Sequence, residues 1–154
     1  MATVYFISGF IGSGKTTYAK QLAQRQSAFR FSIDEWMIPL YGEHMSREDF
    51  DARIVILENL FKGAALQMMG LGISVIFDLG YWTKQDRTNC VKWAAENGLE
   101  SEVHYLDVSF KTCCLRAKQR NENLAGKSYE MSDEMLALFW SWFEVPCDEP
   151  LVMV

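Results

Sequence analysis

The sequence has no excess of basic residues: 15 lysines and arginines face 20 aspartates and glutamates, a formal charge of −5. That excludes a protein whose affinity comes from a broad basic face laid on nucleic acid. A local basic pocket for phosphates stays open. Histidine and cysteine are scarce too. His44 and His104, with Cys90, Cys113, Cys114 and Cys147, form no C-x-x-C pair and no zinc pattern. The cysteines read as free thiols of a reducing cytoplasm. No stretch approaches the roughly 18 apolar residues of a membrane-spanning helix. The start, MATVYFISGF, lacks the basic region and small-residue cleavage site of a signal peptide. No repeat or low-complexity linker divides the chain. The expectation is one cytoplasmic, soluble domain over 1–154, with no membrane partner.

What is present is an alternation of strands and helices. Val4–Ser8, Phe29–Ile33, Ile73–Phe77 and Val103–Val108 are short apolar runs of strand character, and Leu151–Val154 is a candidate fifth. Between them lie helical stretches. The clearest follows Ser46-Arg47-Glu48-Asp49, which has the form of a capping box. There Phe50, Ile54, Leu57, Phe61, Ala64 and Met68 recur at three- and four-residue spacing. Thr83 and Ser132 read as further caps. Such alternation predicts an α/β fold, a five-stranded parallel sheet with helices on both faces. Ligands of these sheets bind at the C-terminal ends of strands. The polar candidates fall there: the 9–16 loop, Asp34 and Asp78.

Gly9-Phe10-Ile11-Gly12-Ser13-Gly14-Lys15-Thr16 matches the phosphate-loop pattern G-x-x-x-x-G-K-[ST] in full. Glycines let backbone N–H groups turn inward around phosphates, and the helix that follows points its positive end at the anion. Lys15 can reach the β- and γ-phosphates, and Thr16 can place its hydroxyl on Mg²⁺. The expected nucleotide set is Gly9, Gly12, Ser13, Gly14, Lys15, Thr16 and Thr17. The cofactors expected are ATP and Mg²⁺.

Asp34 follows the second strand, where it reads as a base for an attacking hydroxyl or as the N-cap of a helix from Glu35-Trp36. Glu35 reads as an exposed neighbour. Asp78 ends an apolar run in the form of a Walker B segment, a candidate Mg²⁺ ligand. Leu79 follows it, not the glutamate that activates water in many motor-type ATPases, which favours transfer to a bound hydroxyl. Arg116 and Arg120, four apart, share a helix face and could close over the γ-phosphate, with a lid spanning about 116–132. Trp36 and Trp82, beside the two carboxylates, are candidate walls of a substrate pocket. Arg87 could contact substrate or pair with Asp86. The aromatic stretch Phe139–Phe143 could suit a partner contact.

Taken in order, GFIGSGKTT, Phe31-Ser32-Ile33-Asp34-Glu35-Trp36, VIFDLG at 75–80, Leu106-Asp107-Val108 and the Leu115–Asn121 helix resemble the small P-loop kinases. That group comprises polynucleotide 5′-kinase domains, zeta toxins and chloramphenicol phosphotransferases. The resemblance covers nearly the whole chain. It implies a nucleotide-kinase-like core with a small lid and transfer of a phosphoryl group from ATP to a hydroxyl. It also places the base on Asp34 and the lid arginines on Arg116 and Arg120, with Arg120 also flanking the adenine. Polynucleotide kinases of this type carry an arginine three residues after the base, where this chain has Met37. With the acidic composition, that favours a small hydroxyl-bearing acceptor over nucleic acid. Two other readings stay open: a nucleotide-dependent regulatory or binding module, and a nucleoside or polynucleotide 5′-hydroxyl kinase.

Overall fold

The run TVYFIS becomes β1 (Thr3–Ser8), the middle strand of a five-stranded sheet. The chain continues through α1 (Lys15–Gln26), β2 (Phe29–Ser32), α2 (Ile33–Tyr41), α3 (Arg47–Gly70) and β3 (Val75–Gly80). It then forms α4 (Lys84–Glu96), β4 (Glu100–Tyr105), α5 (Phe110–Glu122), α6 (Asp133–Trp142) and β5 (Val152–Met153). These come from a computed structural model, which describes residues 1–122 and 131–154. All strand pairs are parallel, in the order β2-β3-β1-β4-β5. The chain leaves β1, skips over β3 to the far edge, then returns, so the crevice where a ligand fits opens beside the end of β1. Among the described residues no helix is long and apolar enough to cross a membrane.

Side chains alternate across β1 and split the core in two. Val4 and Phe6 face α3 and α4, whereas Tyr5 and Ile7 face α1. On the first face the register sets Phe31, Phe77 and Phe6 side by side on three strands. Their rings stack at 5.4 and 5.6 Å, and Phe61 of α3 stacks on Phe31 at 4.8 Å. On the second face Ile76 joins Tyr5 and Ile7 against Ala19 and Leu22 of α1. A third cluster lies past the strand ends, where Phe10 meets Tyr105, Cys113, Ala117, Leu136 and Phe143.

The three caps form, but the box expected at Ser46 is a single hydrogen bond and the reciprocal box is the one at Thr83. Ser46 Oγ accepts from the Asp49 N–H at 3.1 Å, and Thr83 and Asp86 close a full capping box at 3.0 and 3.2 Å. Ser132 Oγ accepts from Met135 N–H at 3.2 Å.

Several boundaries move. β2 stops at Ser32 and α2 begins at Ile33, so Asp34 lies in the first turn of α2 and does not cap a helix starting at Glu35. β3 begins at Val75 and runs to Gly80, so Asp78 is inside the ladder opposite Ser32. A buried carboxylate is tolerated there because neighbouring side chains supply its partners. β4 is shifted forward to 100–105 because its polar first half, Glu100-Ser101-Glu102, still pairs with β1. Trp140 and Phe143 pack into the third cluster, so that part of the 139–143 stretch is committed within the chain. The middle of the expected lid, residues 123–130, lies outside the described residues.

Candidate active site

The loop between β1 and α1 is held from three sides. Gly9 N–H donates to the Gly80 carbonyl at 3.0 Å, which fastens it to the end of β3. Ser8 Oγ donates to the Tyr81 carbonyl at 3.0 Å on the same side. Phe10 turns away from the loop, 2% exposed, into rings of Trp140, Trp82 and Phe143 at 5.0, 5.5 and 5.8 Å. Gly12 has φ +80°, and a Cβ there would lie 2.3 Å from the Cys113 carbonyl oxygen. Only glycine lets the loop rest on the first turns of α5.

The loop's polar groups face inward. α1 starts at Lys15 with Gly14 as N-cap and no side-chain cap, so the first-turn N–H groups stay available to an anion. Lys15 Nζ donates to the Phe10 carbonyl at 3.1 Å. Burial pulls the Lys15 ammonium below its ordinary pKa, against the raising pull of Asp78 and Asp34. Ser13 Oγ and Arg120 Nε are buried and lack a hydrogen-bond partner among the described residues. Orphaned buried polar atoms are costly. Phosphate oxygens would satisfy both the Ser13 hydroxyl and the Arg120 guanidinium, so the site fits a nucleotide on its own chemistry.

The carboxylates lie on the α1 side of β2 and β3. Thr16 Oγ1 donates to Asp78 Oδ2 at 3.4 Å. The same oxygen is 3.5 Å from Arg30 Nη1, while Arg30 Nη2 donates to Glu35 Oε2 at 2.6 Å. Asp78 is 5% exposed. Burial raises its pKa, while Lys15, Arg30 and the Thr16 hydrogen bond oppose the rise. Thr16 and Asp78 together offer hard oxygen donors suited to Mg²⁺. Asp34 is half-buried, and burial pushes its carboxyl up to about 6; Lys15 opposes this, and the nearby Asp78 adds to it. From α5, Arg116 Nη1 donates to the Ser13 carbonyl at 3.2 Å. Arg120, one turn further, is half-buried and feels Asp34 electrostatically.

The structure therefore brings together the loop, Asp34, Asp78, Arg116 and Arg120. Thr17 is exposed on α1, one residue beyond Thr16. Trp36, 41% exposed, leans edge-on against Phe61 at 5.0 Å beside Asp34. Trp82 instead backs Phe10 and Phe139.

Arg87 is elsewhere. It is 2% exposed, binds Glu149 through Nε at 2.9 Å and Nη2 at 3.0 Å, and donates to the carbonyls of Tyr81, Trp82 and Glu144. A buried guanidinium needs all its donors met, which leaves nothing for substrate. It does not pair with Asp86, which is used in the capping box.

Sequence reading missed Arg30 and took Glu35 for a bystander. The signal was there in Phe29-Arg30-Phe31: a charge between two strand phenylalanines must face the other side of the sheet and find a partner.

A parallel sheet with this strand order, a glycine-rich loop after its central strand and a helix starting from that loop define a nucleotide-binding, small P-loop kinase-like domain. Residues 4–146 match the AAA domain family, and the chain belongs to it. No curated protein matches the chain. Among solved structures, Chaetomium thermophilum Kti12 in complex with ADP-AlF3 is similar with a TM-score of 0.74 at 20% identity, over 98% of this chain and 88% of that one. A chain of the Pnkp1/Rnl/Hen1 RNA repair complex gives 0.73 at 15% identity, over 92% of this chain and 43% of that one. A gluconokinase from Sinorhizobium meliloti 1021 gives 0.61 at 15% identity, over 99% and 81%. At these identities the likeness is one of fold.

Proposed function

We propose that the protein transfers the γ-phosphoryl group of ATP to a hydroxyl of a small acceptor, with Asp34 as the base. The observation that carries this reading is Asp34 itself: a half-buried carboxylate pushed up to about 6, close enough to feel the charges of Lys15 and Arg120. A base poised just below neutral pH is ionised and still able to take a proton.

The chain's groups divide the work. Lys15 would leave the Phe10 carbonyl for the β- and γ-phosphates. Ser13 Oγ and the loop N–H groups would hold phosphate oxygens. Thr16 and Asp78 would hold Mg²⁺, which supplies positive charge to the β- and γ-phosphate oxygens when bound. Asp34 would orient the acceptor hydroxyl and take its proton as the oxygen attacks phosphorus and ADP leaves. Arg116 and Arg120 would balance the charge on the moving phosphoryl group.

Met37 supports a small acceptor. It is 0% exposed, so the position that carries a phosphate-binding arginine in polynucleotide kinases is core in this chain. Trp36 would wall the acceptor side. A second reading, a nucleotide-dependent regulatory module, draws on the Gly12–Cys113 contact, through which a change in the loop would move α5.

The test is transfer from γ-labelled ATP across nucleosides, 5′-hydroxyl oligonucleotides, sugars, aminosugars and chloramphenicol-like compounds. One labelled small acceptor, lost in Asp34→Asn with ATP affinity kept within a few-fold, supports the proposal. Transfer unchanged in Asp34→Asn sinks the base assignment. A labelled oligonucleotide with no small acceptor moves the reading to a polynucleotide kinase. Tight ATP binding with no labelled acceptor favours the regulatory module.

A further inference from the structure

Helix α3 spends one face on the sheet through Leu57, Phe61 and Ala65. At about 100° per residue, the opposite face carries Ala52, Val55, Ile56, Asn59, Gly63, Leu66 and Gln67, with Leu60 at its border. Val55, Ile56 and Leu60 are 57%, 54% and 61% exposed, and Leu66 is 39% exposed. The charges of this stretch sit on the flanks. Arg53 lies over the Tyr41 ring at 4.3 Å, and Glu58 pairs with Lys62 at 3.3 Å. The outer face of this helix is therefore uncharged between residues 52 and 67 and mostly apolar, broken only by the amides of Asn59 and Gln67. A helix on the surface of a folded domain normally turns polar residues outward; one apolar on both faces is covered on both.

Gly63 adds an independent observation. It sits mid-helix, does not have positive φ, and a Cβ on it would meet nothing within 4 Å. Relative to alanine it costs the helix about 1 kcal/mol. No contact within the chain explains that cost. A close-approaching second helix does, because a missing Cβ leaves a dent for a partner's side chain.

We propose that this face is the docking surface for a second copy of the chain, α3 against α3 in antiparallel pairing about a two-fold axis between Leu60 and Gly63. Leu60 then seats over the partner subunit's Gly63, and the reverse contact follows by symmetry. A single uncharged helical stripe is complementary to itself, and it offers no charge by which a charged partner would be chosen. A membrane surface is disfavoured, since anionic lipid selects basic flanks and this chain is net negative. The area is adequate. The 24-residue helix is about 36 Å long and about 10 Å wide. With the exposed Leu40, Tyr41, Leu71 and Ile73 at its ends, the face reaches about 600 Å² per partner, the lower bound for a stable pair.

The experiment is the solution mass of the whole chain by sedimentation equilibrium from about 1 to 100 µM, without nucleotide. A monomer–dimer equilibrium in that range is expected. Leu60→Glu, at an exposed position, should weaken it by about 100-fold or more with an unchanged circular dichroism spectrum. Gly63→Leu should also weaken the dimer by filling the dent, while the variant melts no lower than wild type. A wild-type monomer at the top of the range overturns the proposal, even if that monomer binds another protein or phosphatidylcholine vesicles through this face. So does a dimer that survives both substitutions. Neither outcome depends on phosphoryl transfer.

Discussion

Asp34 carries a cost as well as its proposed role. Its carboxyl is near 6 in the folded chain against 3.8 for a free aspartate. The folded state therefore binds the proton more tightly, and stability is lost as pH rises through that window. Below about pH 4 the residue is neutral in both states and the penalty vanishes. Asp34→Asn should thus stabilise the nucleotide-free protein at pH 8 by about 1 kcal/mol, a value reduced for partial exposure, with a smaller gain at pH 5. Urea melts at the two pH values check it; a loss of stability at pH 8 would refute the buried-charge account. The same pKa predicts an acid limb in the transfer rate, halved near pH 6. Arg30 is a positioning residue at this scale. Its guanidinium ties Glu35 of α2 to Asp78 of β3, and so fixes the turn that holds Asp34. Arg30→Met should lower the transfer rate about 10- to 100-fold while leaving ATP binding within a few-fold. Arg30→Lys should restore only part, because one ammonium cannot reach both carboxylates as a planar fork does. Separate measurements of turnover and nucleotide affinity decide this.

Elements were legible in the sequence where their signals are local. The phosphate loop is eight consecutive residues, and its glycines appear at the positions the turn requires. The caps at Ser46, Thr83 and Ser132 each span four residues, and each side chain accepts its N–H. Partnerships across long loops were not legible. Arg30 finds Asp78 48 residues away, and Arg87 finds Glu149 62 residues away. The pattern Phe29-Arg30-Phe31 says that Arg30 needs a partner, but nothing in spacing or propensity names Asp78 or Glu149 as the partner. The same holds for Gly12, whose place against the Cys113 carbonyl joins loop to helix α5. Gly12→Ala should drive a Cβ into that backbone oxygen, push the loop off α5 and weaken ATP binding about 100-fold, as calorimetry would show. Binding close to wild type would mean that the loop carries no such constraint.

At the scale of the whole molecule, two distant parts of the chain support the site. Phe10 anchors the loop among Trp82, Trp140 and Phe143, so Phe10→Ala should cost about 3–5 kcal/mol in denaturant unfolding. Arg87 holds the 144–149 segment against the end of β3 through Glu149 and the Glu144 carbonyl. Arg87→Met leaves Glu149 without its partner and should cost about 3–5 kcal/mol as well. None of the lost contacts is made to Asp34, so both variants should reveal themselves first in stability. Fold class was readable at this scale because alternation of strands and helices needs no knowledge of partners. The role of the C-terminal aromatics was not, since nothing in Phe139–Phe143 announces that it serves a residue 130 positions earlier.

That arrangement has a consequence in time. A ribosome makes Phe10 about 130 residues before Trp140 and Phe143. At ordinary elongation rates the phosphate loop waits on the order of ten seconds for the rings that seat it. Through that interval a nascent chain carries the full nucleotide-binding motif without the pocket it belongs to. ATP added to chains stalled before residue 139 should find little to hold, and only emergence of α6 turns the motif into a receptor.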